Sequence, residues 1–341
     1  MIRKNRFIFC LISLLLAAIT MLSGCSAGSP DNILDIGADA FAVGKTEDDY
    51  SLINSGTLLD SLIDDFSGSY YQPTGQSMTD DEYDDVKDQI EDSSEEEGAS
   101  DSKVYKIGSY EDLEKAFYEV YNDTKTQFEF VFVNGYSVNL LDVIEKIYRN
   151  IQRKDPIAAC GVESWQWGNR GVDYIVKINY FFKKKELVKI KEETVKLVDE
   201  AVNKINAFGK SDYEIICAVN KYLCETVVYP DSKPYEPITH TAYGALKNGL
   251  AVCEGYTCAA KLILNKFSIK CDIQTGVCTN GEGHAWNLVQ LENNWYQMDI
   301  TWNDGSRNIT DYLLVTDEYM KKSRSWEEAD YPATPSKPYA A

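Results

Sequence analysis

The sequence predicts an α+β fold, with a small α/β subdomain followed by a larger core. Three observations predict this class. Apolar residues recur at helical spacing in several segments, among them residues 113–120 and 186–208. Continuous aromatic and apolar runs, such as residues 128–133, are typical of strands. A helical pattern also begins near Cys253, and two strand-like runs follow it in the chain, so we expect a helix beside adjacent antiparallel strands.

The N-terminus has the pattern of a secretory signal. Three basic residues lie within the first six positions, before an apolar run over residues 7–21 that is short for a membrane-spanning helix. The run ends in Leu22-Ser23-Gly24-Cys25, which resembles the bacterial lipobox, in which the cysteine is lipidated. We therefore expect residues 1–24 to be a lipoprotein signal peptide and Cys25 to anchor an extracytoplasmic protein to the membrane. The alternative is an ordinary signal peptide with an incidental cysteine.

Negative charge is concentrated in one segment. The net charge is −20, and residues 26–103 carry 21 acidic but only 3 basic side chains. Such a segment buries too little apolar surface to offset the entropy of the chain, so residues 25–103 are predicted to be a disordered stalk. An acidic tail that binds a partner is the alternative. The remainder has no basic stripe, which argues against nucleic-acid binding.

Ordered structure is expected from residue 104, with the subdomain over residues 104–183 and the core over 184–341. Ser109 with Asp112 fits a helix N-cap, and Ser211 with Glu214 fits a capping box. The patterns predict, in order, a helix from residue 110, a strand at 128–133, a helix at 140–151, a strand at 174–182 and helices at 186–208 and 212–226.

Cysteine and histidine counts limit the chemistry. Seven of the nine cysteines follow Cys25, and an odd number outside the cytoplasm leaves at least one free thiol. Pairing of Cys271 with Cys278 stays open. The chain has only two histidines, His240 and His284, and no spacing of zinc ligands occurs. No metal and no cofactor are therefore expected.

Cys253 lies where a loop becomes a helix, in the run Gly249-Leu250-Ala251-Val252-Cys253-Glu254-Gly255-Tyr256. The N–H groups at the start of a helix stabilise a thiolate and can bind the oxyanion of an acyl-transfer intermediate. The alternative is a buried cysteine that only packs.

His284 and Asp299 lie on two runs predicted to be strands, residues 283–289 and 295–302, with Glu292-Asn293-Asn294 between them. If the turn consists of Glu292 and Asn293, Leu291 faces Asn294, and His284 and Asp299 become diagonal neighbours. A turn one residue later would place them too far apart for a direct hydrogen bond. The sequence thus predicts a Cys–His–Asp triad on condition of one hairpin register.

Four segments closely resemble the transglutaminase-like superfamily, in particular the bacterial transglutaminase/protease-like domains related to cytokinesis proteins. They are residues 240–246, 251–256, 283–287 and 296–302, read as HTAYGAL, AVCEGY, GHAWN and YQMDITW. The resemblance covers residues 210–319 and implies a papain-like fold in which Cys253, His284 and Asp299 are catalytic. It also implies action on amide bonds of peptides or proteins, with cell-wall peptides among the candidate substrates, by hydrolysis or transamidation. A non-catalytic cell-envelope module that keeps the fold is the alternative.

The second oxyanion donor is not fixed by the sequence. Animal transglutaminases use a tryptophan upstream of the cysteine, and this chain has none between Trp167 and Cys253. Tyr243 or His240 could take that place, or each could serve only packing or a turn. Trp286 could line a substrate groove, although a core position in the sheet is the stronger expectation.

Overall fold

Two five-stranded sheets and the helices around them make up residues 70–96, 103–231, 233 and 235–340, the part of the chain that the computed structural model describes. This mixture confirms the predicted α+β class. The signal peptide and Cys25 lie outside the described residues, and their assignment stays a prediction. Within these ranges, no helix combines the length and the apolar character that a membrane span requires.

The first sheet is mixed, with strand order β1-β4-β5-β3-β2. β1 runs parallel to β4, and β2 runs parallel to β3. Its own core contains buried aromatic and aliphatic residues of the strands and of α2 and α3. The elements are β1 (Thr74–Ser77), α1 (Asp80–Glu96), β2 (Val104–Ile107), α2 (Tyr110–Asn122), β3 (Gln127–Phe132), α3 (Leu140–Lys154), β4 (Val162–Arg170) and β5 (Asp173–Tyr180).

β1 and α1 correct the prediction that residues 25–103 are a disordered stalk. Tyr83 and Val86 of the acidic helix α1 are buried and pack with Ile175 of β5. Because residues three apart lie on one face of a helix, this sparse apolar stripe attaches α1 to the sheet despite its charge. The domain boundaries at residues 104, 183 and 184 stay predictions.

The second sheet is antiparallel, with strand order β10-β6-β7-β8-β9. In the described part of the chain, three α-helices lie between the last strand of the first sheet and the first long strand of this one, and two short helices lie between its last strands. The elements are α4 (Lys184–Ile205), α5 (Asp212–Thr226), α6 (Cys253–Lys266), β6 (Cys271–Cys278), β7 (Gly283–Leu291), β8 (Asn294–Met298), α7 (Ile300–Gly305), β9 (Leu313–Val315), α8 (Asp317–Met320) and β10 (Arg324–Ser325).

The helix α6 lies in the centre of the second core. Its apolar residues pack with those of α4, α5, β6 and β7. The capping box at the start of α5 is confirmed, since the Ser211 hydroxyl accepts from the Glu214 amide and the Glu214 carboxylate accepts from the Ser211 amide. Because α6 is buried along its length, the position of its first residue is fixed relative to β7.

Candidate active site

Cys253 is the first residue of α6. The Val252 amide before it donates to the Thr239 carbonyl at 3.0 Å. A Cβ on Gly255 would lie 2.5 Å from the same carbonyl oxygen, so only glycine lets the loop approach the first turn this closely. The first-turn N–H groups of a helix point out of its N-terminus, where they can stabilise an oxyanion beside the Cys253 sulfur.

The hairpin of β7 and β8 has the register that a His–Asp pair requires. Leu291 pairs with Asn294, so the turn is Glu292-Asn293, which is the alternative that the triad requires. Both turn residues have positive φ, 50° and 64°, which is the geometry of a tight two-residue hairpin. The register therefore brings Asp299, directly after β8, diagonally opposite His284.

His284 and Asp299 are buried and hydrogen-bonded to each other, with 2.8 Å between His284 Nε2 and Asp299 Oδ2. The other carboxylate oxygen, Oδ1, accepts from the Trp302 amide at 3.0 Å and caps α7. The sequence predicted that the strand continues to Trp302. That prediction is wrong because the Asp299 side chain satisfies the first turn of a helix instead.

The charges of this pair stabilise each other. Burial by itself lowers the pKa of His284, but attraction to Asp299 and Cys253, with hydrogen bonds to both, raises it to about 9. Burial would raise the pKa of Asp299, but His284 and Arg324 hold it below its usual value. The ionised carboxylate can only accept, so His284 Nε2–H is the donor and Nδ1 is left to face the sulfur.

Arg324 of β10 is a site residue that the sequence analysis missed. Its Nη1 donates to Asp299 Oδ2, the oxygen that also binds His284. The side chain is fully buried, and its guanidinium carbon lies 3.9 Å from the ring centroid of Trp302 and 5.0 Å from that of Trp286. A single arginine 25 residues after Asp299 gives no sequence pattern that could have identified it.

The other predicted site residues each contact a side chain outside the triad. Trp286 is buried, donates to Gln297 at 2.5 Å and stacks on the His284 ring, so it supports the imidazole and lines no open groove. The Tyr243 hydroxyl donates to Glu193 at 2.9 Å. His240 Nδ1 lies 3.0 Å from the Glu254 carboxylate. The prediction that one of these is an oxyanion donor stays a prediction.

Glu254, the residue after Cys253, is a buried carboxylate that the sequence analysis also passed over. It accepts from Gln152 Nε2 at 2.5 Å and from the Tyr71 amide at 3.3 Å, in addition to its contact with His240. These side chains line a cavity of about 30 Å³ beside α6. The cluster ties the first turn of α6 to α3 of the first sheet.

Tyr70 covers the nucleophile candidate. Its side chain packs with Cys253 and Ala285, and Cys253 has no exposed surface. None of the seven described cysteines forms a disulfide, and Cys271 and Cys278 lie at opposite ends of β6. Within the described ranges, no cluster of three or more histidine, cysteine or acidic side chains could hold a metal ion.

Part of this chain matches the model of a known protein family. The model of the transglutaminase-like superfamily matches residues 199–300. Kyphoscoliosis peptidase of Homo sapiens is 25% identical over 126 residues, which are 32% of this chain and 18% of that protein. The Mus musculus protein of the same name is 25% identical over 131 residues, 33% of this chain and 19% of that protein. The chain thus spans under a fifth of the length of these curated relatives.

Two solved structures are similar over parts of the chain. The crystal structure of a TGase is 12% identical and covers 57% of this chain and 58% of that one, with a TM-score of 0.31. A protein described as a cysteine protease from Cytophaga hutchinsonii is 13% identical and covers 38% and 52%, with a TM-score of 0.27. The family match includes Cys253, His284 and Asp299. The chain therefore contains a domain of the transglutaminase-like superfamily.

Proposed function

We propose that the protein is a lipid-anchored extracytoplasmic thiol enzyme that acts on amide bonds of peptides or proteins by Cys–His–Asp acyl transfer. One observation carries the proposal: the buried His284 ring is hydrogen-bonded both to Asp299 and to Cys253, the first residue of α6. A nucleophile, a base and a group that orients the base in this order are the arrangement that covalent acyl transfer needs.

In the starting state of the proposed reaction, His284 has taken the proton of Cys253, so the sulfur is a thiolate and the imidazole is positively charged. The thiolate attacks the carbonyl carbon of an amide, and the oxyanion that forms is stabilised by N–H groups at the start of α6. The carbon–nitrogen bond then breaks, and the leaving amine takes the proton from His284. Water or a second amine attacks the thioester and gives a proton to His284, and the carbon–sulfur bond breaks to restore the thiolate. Asp299 holds the ring in one orientation throughout.

Labelling with iodoacetamide at neutral pH tests the nucleophile. Cys258 is the matched control, because it is buried on the same helix five residues later and burial raises its pKa well above the usual value. We expect Cys253 to label faster than Cys258, and a Cys253→Ala variant to lose activity that a Cys258→Ala variant keeps. Equal labelling of the two thiols and equal activity of the two variants would refute the proposed enzymatic function.

Product analysis distinguishes hydrolysis from transamidation. A model protein such as casein is incubated with the enzyme, with and without an added primary amine. Ammonia release without amine incorporation, or new peptide termini, indicates hydrolysis. Incorporation of the amine into the protein indicates transamidation. Peptides of the cell wall form the second substrate panel, since the lipid anchor would hold the enzyme at the cell envelope.

The anchor is tested separately. Lipidation at Cys25 should place the protein in the detergent phase of a phase-separation experiment. A Cys25→Ser variant should move to the aqueous phase, and its mass should lack the acyl groups. Identical partitioning and mass of both forms would remove the anchor from the proposal without affecting the chemistry at Cys253.

A second candidate is a non-catalytic cell-envelope binding module. The observation that favours it is that Cys253 has no exposed surface and that Tyr70 packs on it, so the sulfur is covered in this conformation. The binding-module hypothesis predicts that Cys253→Ala behaves as the wild type in every assay, whereas the enzyme hypothesis predicts that this variant loses all turnover.

A further inference from the structure

Asp299 uses one oxygen for two cations. Its Oδ2 accepts from His284 Nε2 at 2.8 Å and from Arg324 Nη1. Its Oδ1 is occupied by the Trp302 amide. The carboxylate that orients the base is therefore shared with a second positive group, and any negative charge it offers to the imidazolium is divided between them.

The fold holds Arg324 firmly at this position. Arg324 pairs with Cys278 of β6 as part of β10, and a Cβ on Gly276 of β6 would lie 2.2 Å from the Ser325 carbonyl oxygen. The guanidinium contacts the faces of Trp302 and Trp286, and its Nε donates to Ser323 at 3.4 Å. Burial between aromatic rings removes the water that would otherwise screen its charge.

A buried arginine on the orienting carboxylate has a defined electrostatic effect. Arginine stays protonated, so it keeps Asp299 ionised and also repels a proton on His284. Asp299 alone would bind the imidazolium proton more strongly. With Arg324 present, the base releases its proton to a leaving amine more readily, which a general acid must do in every turnover.

We propose that Arg324 is a positioning residue that holds Asp299 towards His284 and weakens, through its positive charge, the hold of Asp299 on the His284 proton. This role of Arg324 affects turnover only if the proposed function is correct, whereas its effect on the proton of His284 does not depend on that function. Arg324 touches no reacting atom, and it acts through its hydrogen bond to Asp299 and through its positive charge.

Other charged or titratable groups also act on His284 and Asp299, and they come from the helices, strands and connecting segments around the two residues. They stay unchanged in every variant below, so a shift between variants reports Arg324 itself. They are Cys253 on α6, Cys278 at the end of β6, Glu282 before β7, Cys224 on α5 and Tyr312 before β9.

NMR titration of His284 tests the proposal. Because the chain has two histidines, a His240→Gln background leaves His284 as the single imidazole signal. Arg324→Met removes the charge and keeps an apolar stem. Arg324→Gln replaces the charged group by a neutral polar amide, and Arg324→Lys keeps the charge. The pH profile of Cys253 alkylation in the same variants gives a second reading of the same proton.

We expect the His284 midpoint to rise by about 1 pH unit in the Met and Gln variants and to stay within roughly 0.3 units in the Lys variant. A purely structural arginine would lower the melting temperature of all three and shift no midpoint. Overlapping titrations of the wild type and whichever neutral variant folds would overturn the proposal, as would an equal rise in the Lys variant. If the midpoints shift but the wild type never forms a thioester, the proposed function fails and this inference stands.

Discussion

His284 and Asp299 are 15 residues apart in the chain, and the two-residue turn between their strands brings Nε2 and Oδ2 to 2.8 Å. The Asp299 side chain has two tasks, since one oxygen orients the imidazole and the other caps α7. Loss of the charge and loss of the cap can therefore be separated by substitution.

Asp299→Asn should abolish most activity and also destabilise the protein, because the buried Arg324 loses its counter-charge. The amide oxygen can still cap α7, but the side chain no longer stabilises the imidazolium, and turnover should fall by about 10²–10⁴-fold. Asp299→Ala should lose activity to the same extent and be less stable by a further ~1 kcal/mol, because the cap is gone as well. Turnover with a model peptide amide and urea unfolding measure the two effects. Full activity of the Asn variant would contradict the triad.

The raised pKa of His284 predicts a pH dependence of stability. The folded-state pKa is about 9, above the ordinary value of 6.5, so protonation of His284 stabilises the folded protein fully below pH 6.5. This stabilisation is lost as the pH rises through 9. The difference in unfolding free energy between the wild type and His284→Gln should shrink across that window. His240→Gln shows how much of any change follows from loss of an imidazole in general, and a constant difference for His284→Gln would count against the pairing.

Removal of the Tyr70 ring should expose the Cys253 thiol. Tyr70 packs on Cys253, which has no exposed surface, so Tyr70→Ala should raise the rate of iodoacetamide labelling at Cys253 by roughly tenfold. Tyr83→Ala removes a similarly buried ring from α1 and should leave the rate unchanged. Peptide mass mapping after timed labelling measures both rates. Equal rates in all three proteins would show that Tyr70 does not control access to the sulfur.

Gly276→Ala should destabilise the protein and disturb the site from a distance. The new Cβ would lie 2.2 Å from the Ser325 carbonyl oxygen, so β10 would have to move away from β6 and carry Arg324 with it. We expect a loss of about 1–3 kcal/mol in unfolding free energy. Gly305→Ala is the control, because its Cβ would meet no atom within 4 Å. Unchanged melting temperatures in both variants would argue against the tight contact at β10.

The sequence predicted those parts of the site that depend on local rules. The asparagines between the two strands indicated a tight turn, and of the two alternatives the structure has Glu292-Asn293, the one that makes His284 and Asp299 neighbours. The start of α6 at Cys253 followed from the change from loop to helical spacing. In both cases the information lies within a few neighbouring residues.

The parts that the sequence did not predict depend on contacts between distant segments. Arg324 reaches Asp299 only because β10 pairs with β6 on the far edge of the sheet. The helix α1 is acidic throughout, and its few apolar residues gain significance only when a sheet face is present to cover them. The end of β8 was misplaced because the run up to Trp302 is rich in aromatic residues, and the capping bond of Asp299 overrides that preference.

The family match ends at residue 300, whereas β10 begins at Arg324. A fragment trimmed to residues 199–300 would therefore retain the sulfur, the imidazole and the carboxylate but lack the buried cation that the carboxylate also binds. In that fragment the edge of β6 would have no partner strand, and the indole of Trp286 would lose its contact with the Arg324 guanidinium. Recombinant forms intended for biochemistry need an end point beyond Asp330, whose carbonyl accepts a hydrogen bond from Arg153 of α3.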